Sequence, residues 1–130
     1  MKPLFKRLAY IYTGTSNYPE DYNFYKNILK APLVWEFERF GAKVAAFNLA
    51  GEPYLLLADH VKHPSKRLIY EVENLKSTVK ELTSRGWEAD GKKFEIPDGT
   101  CINFTDKSGN EYAILEMSRP RMLEKHYKAP

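Results

Sequence analysis

The chain holds one cysteine, Cys101, so no disulfide can close within it, as expected of a protein kept in a reducing cytoplasm. No stretch approaches the ~20 consecutive apolar residues that a membrane-crossing helix needs. The opening MKPLFKRLAYIY carries charges but no apolar run of signal-peptide length. Charge of one sign is not concentrated either, because 20 basic residues face 17 acidic ones and the formal net charge is +3. A nucleic-acid binder gathers its cations on one face, whereas here they are spread along the chain. The exception is Arg119, Arg121, Lys125, His126 and Lys128, read as a solvated tail, with an anion- or nucleic-acid-binding arm as the alternative. Glycine-rich phosphate loops and a Ser-His-Asp ordering are missing. The expectation is a soluble cytoplasmic protein with neither membrane nor nucleic acid as partner.

The composition itself is globular. A length of 130 residues fits one domain, and 43% hydrophobic content with nine Tyr, seven Phe and two Trp can fill a core. The pattern then states itself twice. A unit of about 5–59 reads as strand, helix and three strands, and a unit of about 66–117 reads the same way, with a tail at 118–130. Asn17 and Asn74, each just before a helix, lie 57 residues apart, and the turn glycines Gly51 and Gly109 lie 58 apart. Two βαβββ units define an α+β fold whose sheets can pair into a cupped half-barrel, and a cup holds small molecules.

The first strand falls at Leu8 to Tyr12. Pro19 suits a first helical turn, Glu20 and Asp21 suit its positive end, and Tyr22, Tyr25, Ile28 and Leu29 recur at helical spacing until Pro32. Strands come next at Leu33 to Phe40, Lys43 to Leu49 and Tyr54 to Ala58, and His60 to Ser65 is the linker. Lys66 to Val72 opens the second unit. Asn74 caps a helix with the apolar stripe Leu75, Val79 and Leu82, and Gly86 ends it. Strands near Trp87 to Ile96, Thr100 to Thr105 and Glu111 to Met117 complete the repeat, and the tail adds a short helix.

Several residues invite chemistry and have a plainer explanation. His60 and His63 beside Asp59 lack a third ligand nearby and read as polar linker. Cys101 has no histidine signature and reads as a small buried strand residue. Glu36 and Glu38, two apart on one strand face, read as the wet side of a half-buried sheet rather than an acid–base pair.

Phe24-Tyr25-Lys26-Asn27-Ile28-Leu29 resembles the FYxxxLG helix of the vicinal oxygen chelate superfamily, which includes glyoxalase I, extradiol dioxygenases, fosfomycin-resistance enzymes and bleomycin-binding proteins. Val72-Glu73-Asn74-Leu75 with Leu82 and Gly86 resembles its VxDLxxxxxxLxxxG segment, and Asp106-Lys107-Ser108-Gly109-Asn110 its DPDGN turn. The resemblance spans about residues 8–117. Departures are Lys30 for the helix-end glycine, Asn74 for aspartate, and Lys107-Ser108 within the turn.

Enzymes of the superfamily hold a divalent metal on four strand residues, and the resemblance places those positions at Tyr10, Leu55, Arg67 and Ala113. Leu55 and Ala113 offer no donor atom and Arg67 repels a cation, so the expectation is no metal and no cofactor. An arginine in a cup needs a counter-charge, either an internal carboxylate (Glu71 or Glu116) or a bound anion. The resulting candidate ligand-binding set is Tyr10, Tyr12, Trp35, Phe37, Phe47 and Arg67, with hydroxyls and a guanidinium for polar groups and aromatic walls for a planar guest. The function expected is metal-free sequestering or sensing of a neutral or anionic, aromatic small molecule. The alternative is a lyase, isomerase or dioxygenase with a relocated metal, or metal-free chemistry with Tyr10 as acid–base. The resemblance also implies a homodimer.

Overall fold

A computed structural model describes residues 2–39 and 41–129. Phe40, the expected end of the second strand, lies outside the described residues. Contacts divide the chain into two compact units. The first comprises residues 10–66 and 123–129, the second residues 2–9 and 67–122. Each is built on one βαβββ repeat, and the α+β organisation is the one expected.

In the first unit the strands are β1 (Arg7–Gly14, from Tyr10 onward), β2 (Leu33–Arg39), β3 (Ala42–Phe47) and β4 (Tyr54–Ala58), hydrogen-bonded in the order β2-β3-β4-β1. The β1–β4 pair is parallel and the others antiparallel. Helix α1 (Tyr18–Asn23) starts where Asn17 Oδ1 accepts the Glu20 amide at 3.1 Å. It then widens into one π-helical turn, Phe24–Ile28. A π turn inserts a residue into the 3.6 period and rotates the residues beyond it about the helix axis. Tyr22 and Tyr25 pack on Phe47, with ring centroids at 5.4 and 5.5 Å. Ile28 and Leu29, expected on the same apolar face, are instead 64% and 49% exposed. Lys30, standing where the family motif has glycine, takes φ +54°.

The second unit orders β5 (Ser65–Val72, from Arg67 onward), β8 (Glu111–Glu116), β7 (Gly99–Thr105) and β6 (Phe94–Ile96) side by side, with β5 and β8 parallel. Helix α2 (Leu75–Ser84) is capped by Asn74, whose Oδ1 accepts the Ser77 amide at 2.8 Å. Leu75, Val79 and Leu82 form the expected stripe and pack with Val72, Ile102 and Ile114. Gly86 at φ +95° turns the chain out of the helix, a conformation that costs glycine little. The strand expected from Trp87 shrinks to Phe94–Ile96. Asp90-Gly91-Lys92-Lys93 is polar, and Gly91 sits at φ +120°, outside strand geometry.

The C-terminal cluster is not a uniformly solvated tail. Arg119 is held in the second unit, its guanidinium donating to the Pro97 and Ile96 carbonyls at 2.9 and 2.8 Å. In the first unit, helix α3 (Met122–Tyr127, from Leu123 onward) buries Leu123 and lays Tyr127 on Phe37 at 5.2 Å. The chain then runs beside β2, where the Ala129 amide donates to the Val34 carbonyl at 3.1 Å and Lys128 bridges Trp35.

Candidate functional site

Strand side chains alternate between faces, and residues paired across strands share one. In the second unit this sorts the sheet cleanly. Val72, Ile102 and Ile114 face α2. The opposite face carries Arg67, Ile69 and Glu71 from β5, Glu111, Ala113 and Leu115 from β8, and Thr105, Asn103 and Cys101 from β7.

Arg67 lies directly opposite Glu111, and its Nη2 donates to Oε2 at 2.9 Å. The expected internal partners Glu71 and Glu116 are engaged elsewhere. Glu71 accepts Arg7 Nε at 2.6 Å and Lys6 Nζ at 3.4 Å, and Glu116 accepts the Leu75 amide at 2.7 Å, at the start of α2. Parallel register explains the correction. It sets Arg67 against a residue two places after the turn glycine Gly109, which chain order does not reveal. The pair is 28% and 19% exposed, between surface and core.

Two polar atoms on this face are buried with no partner among the described residues, Arg67 Nε and Asn103 Oδ1. A buried donor or acceptor left unpaired costs about 1–3 kcal/mol. Between the strands that carry them sits Ala113, whose methyl fills little space, paired with Asn103 on one side and Ile69 on the other. Asn103 is absent from the set expected from sequence. Its only signal there is a polar residue among the apolar Cys101, Ile102 and Phe104.

Cys101, on the same face, is buried, and its thiol is pushed up to about 12 by that burial and then by Glu95 and Asp98. It is a packed thiol, not a nucleophile.

In the first unit, Tyr10, Tyr12, Trp35 and Phe37 share the face turned away from α1. Phe47 lies on the other face, fully buried under Tyr22 and Tyr25, so its role is core packing. Leu55 is also on the α1 side. The count from Gly51 lands one residue off, and Tyr54, the partner of Tyr10, is the β4 residue on its face. Tyr10 is buried, and Tyr12 pairs its hydroxyl with His60 Nε2 at 3.2 Å. Trp35 is 1% exposed and stacks on Phe37 at 6.0 Å, with Tyr127 beyond Phe37. Glu36 and Glu38 line a shallow hollow of about 480 Å³ with Tyr18, Tyr22, Phe37 and Lys43. Burial first, then Glu36, raises the Tyr18 hydroxyl well above its ordinary range.

Among the described residues no three His, Cys, Asp or Glu cluster as metal ligands. The donor chemistry agrees unit by unit. Ala113 has no ligating atom, Arg67 is a fixed cation bound to Glu111, and Tyr10 and Tyr54 are phenols. The metal of the superfamily's enzymes does not fit these residues.

The molecule has the α+β fold of the vicinal oxygen chelate superfamily, the glyoxalase/bleomycin-resistance-like class. Solved structures that share it include methylmalonyl-CoA epimerase from Mycobacterium tuberculosis, at 15% identity and TM-score 0.75, covering 91% of this chain and 92% of that one. The hypothetical protein BH1468 from Bacillus halodurans C-125 matches at 15% identity and TM-score 0.72, over 85% of this chain and 93% of that one. A Streptomyces coelicolor methylmalonyl-CoA epimerase in complex with 2-nitronate-propionyl-CoA matches at 9% identity and TM-score 0.70, over 88% and 99%. No protein-family model matches the sequence, and no curated protein does. No helix among the described residues is long and apolar enough to cross a membrane.

Proposed function

We propose that the protein binds a small neutral or anionic organic molecule on the α2-remote face of its second unit, and does so without a metal. The observation that carries this reading is the pair of buried, partnerless atoms, Arg67 Nε and Asn103 Oδ1, on one sheet face beside Ala113. One is a donor and the other an acceptor, so a guest offering both kinds of group repays both desolvation costs. Thermal-shift screening tests it. Hits carrying a carbonyl or carboxylate should lose about tenfold in affinity in Arg67→Ala, as for a charge-assisted bond worth roughly 1.5 kcal/mol. Hits that ignore both Arg67→Ala and Asn103→Ala would leave the reading without its site.

The structural neighbours favour an isomerase over pure sequestration, because several are epimerases solved with acyl-CoA ligands. Proton transfer beside a carbonyl needs a base and a group that stabilises the enolate oxygen. Glu111, bound to Arg67, supplies the carboxylate, and the guanidinium supplies the oxyanion partner. Tyr10, the acid–base residue expected from sequence, belongs to the first unit. Incubating the protein with a 2-methyl-branched acyl thioester in deuterium oxide separates the readings. The isomerase reading expects deuterium at C2 with the wild-type chain and none with Glu111→Gln. Binding without exchange leaves sequestration.

A homodimer belongs to the same proposal. Phe24, Ile28, Leu29 and Leu49 are large apolar side chains 44–64% exposed on the first unit, as a surface awaiting burial would be. Light scattering on the purified protein decides it, with the mass of two chains expected and that of one overturning it.

A further inference from the structure

The aromatic residues Tyr10, Tyr12, Trp35 and Phe37 share the face of the first unit turned away from α1, and the proposed function uses none of them. The chain's own C-terminal helix lies against the β2 end of this face. Leu123 and Tyr127 are four residues apart, so they project from one side of α3. Leu123 is buried, and the Tyr127 ring lies 5.2 Å from that of Phe37, which in turn stacks on Trp35 at 6.0 Å and 17°. The Arg39 guanidinium lies over the same Tyr127 ring at 5.5 Å. Lys125, His126 and Lys128 stay exposed, so the basic residues of the tail form its wet side.

The attachment is light. A helix of six residues is too short to hold itself in water, so its contacts with the sheet keep it formed. The chain enters it through Arg121, whose φ of +62° is a left-handed conformation that a non-glycine residue adopts at a cost. Beyond it, Lys128 bridges Trp35 and the Ala129 amide donates to the Val34 carbonyl at 3.1 Å. The buried leucine, the ring pair and the guanidinium contact work against the entropy of ordering residues 123–129. Segments held in this way belong to the low-stability end of a fold and open before the sheet they cover. The β3 partners of Trp35 and Phe37 are Ala46 and Val44, small side chains that leave room over the sheet for a flat ring.

We propose that α3 is a strap over a second small-molecule site, on the first unit, and that Tyr127 holds the place of the guest's ring. The contacts of Tyr127 define that guest. Phe37 receives a flat ring, and Arg39 lies over that ring and is left without it once Tyr127 departs, which favours an anionic substituent beside the ring. The guest is therefore a small aromatic acid. It binds when the strap lifts, so the tail lowers its affinity by the fraction of time that the face is covered. The site stands on the first unit alone and does not depend on the function proposed for Arg67 and Asn103.

The test titrates the full chain with 2-naphthoate and with 2-naphthylmethanol, which share a ring system and differ in charge, and follows ¹H–¹⁵N spectra. The chain carries two tryptophans, so the indole signal lost in Trp35→Phe belongs to Trp35. Naphthoate should shift that signal and move the amides of 123–129 toward unstructured positions. It should bind about tenfold more tightly than the alcohol, a preference that Arg39→Gln erases. Tyr127→Ala vacates the ring's place, and Leu123→Ala loosens the strap without touching that place. Each should raise naphthoate affinity about tenfold, with the β3 and β4 amides unmoved to confirm the fold. Unchanged or weaker binding in both variants, equal affinity for the two probes, or wild-type amides of 123–129 that stay in place as naphthoate saturates would overturn the proposal.

Discussion

Removing Glu111 is the perturbation that most directly questions the proposed site. Its carboxylate holds Arg67 Nη2 at 2.9 Å, and the two side chains are 19% and 28% exposed. Exposed ion pairs contribute about 0–1 kcal/mol, and breaking a fully buried one costs about 3–5 kcal/mol because a bare charge is left behind. This pair lies between those limits, so Glu111→Ala should cost about 1–3 kcal/mol. For a chain of this size that is a fall of roughly 3–12 °C in Tm. Arg67 Nε already lacks a partner, so the variant leaves the guanidinium with two unmet directions and an open space in front of it. Formate or acetate should then refill that space and recover part of the lost Tm, whereas chloride at equal ionic strength should recover less. The assay is a pair of thermal melts read by circular dichroism, with Glu111→Gln as the uncharged control. A drop under about 1 °C, or equal recovery by chloride and formate, would show a solvent-screened pair and refute Arg67 as a recognition group.

Cys101 should resist iodoacetamide at pH 8 in the folded chain and react fully in urea, as read by intact mass. Because burial raises its folded-state pKa from 9.0 to about 12, the folded state keeps its proton where the unfolded state loses it. Its contribution to stability is therefore complete below pH 9 and lost as pH climbs toward 12, and urea midpoints should fall across that window while changing little between pH 7 and 8. Lys30→Gly should stabilise the protein by a few tenths to about 1 kcal/mol in urea melts, since Lys30 holds φ +54° at the end of the first helix. A loss of stability there would mean that the lysine side chain is held by contacts worth more than the backbone strain.

The parts of the fold legible in the chain are those written in local chemistry. Asn17 and Asn74 announce helix starts through side chains that reach back to the third amide after them, and Gly86 and Gly109 mark left-handed turns. The parts that are not legible depend on register. Leu55 and Tyr54 are neighbours in sequence and lie on opposite sheet faces, so a count that slips by one moves a candidate ligand into the core. Likewise, nothing in the order of residues says that Arg67 meets Glu111 rather than Glu71, because strand pairing between distant segments decides it. Phe47 fails as a ligand contact for the same reason, its face being taken by α1. The π-helical turn hides the exposure of Ile28 and Leu29 from a periodicity argument, since 3.6-residue counting assumes an uninterrupted helix. Asn103 escapes a reading of the sequence because one polar residue in an apolar strand becomes informative only once its oxygen is found buried and unpaired.

The ion pair also narrows the guest more than composition does. A lone arginine would favour anions, and two opposite unit charges about 4 Å apart gain about 4 kcal/mol at an effective dielectric near 20. Here the guanidinium already faces a carboxylate, so the pair brings no net charge, and an incoming anion would feel Glu111 as well as Arg67. The buried atoms on this face left without a partner among the described residues are one N–H and one amide oxygen, which suit a neutral carbonyl or amide at least as well as a carboxylate. For any hit found by screening, the neutral amide should therefore bind no more weakly than the parent acid. Its affinity should also change less than about twofold between roughly 50 and 500 mM salt, because little net charge is exchanged on binding. A tenfold preference for the acid, falling steeply with salt, would instead mean that Glu111 swings away on binding and that the guanidinium acts alone.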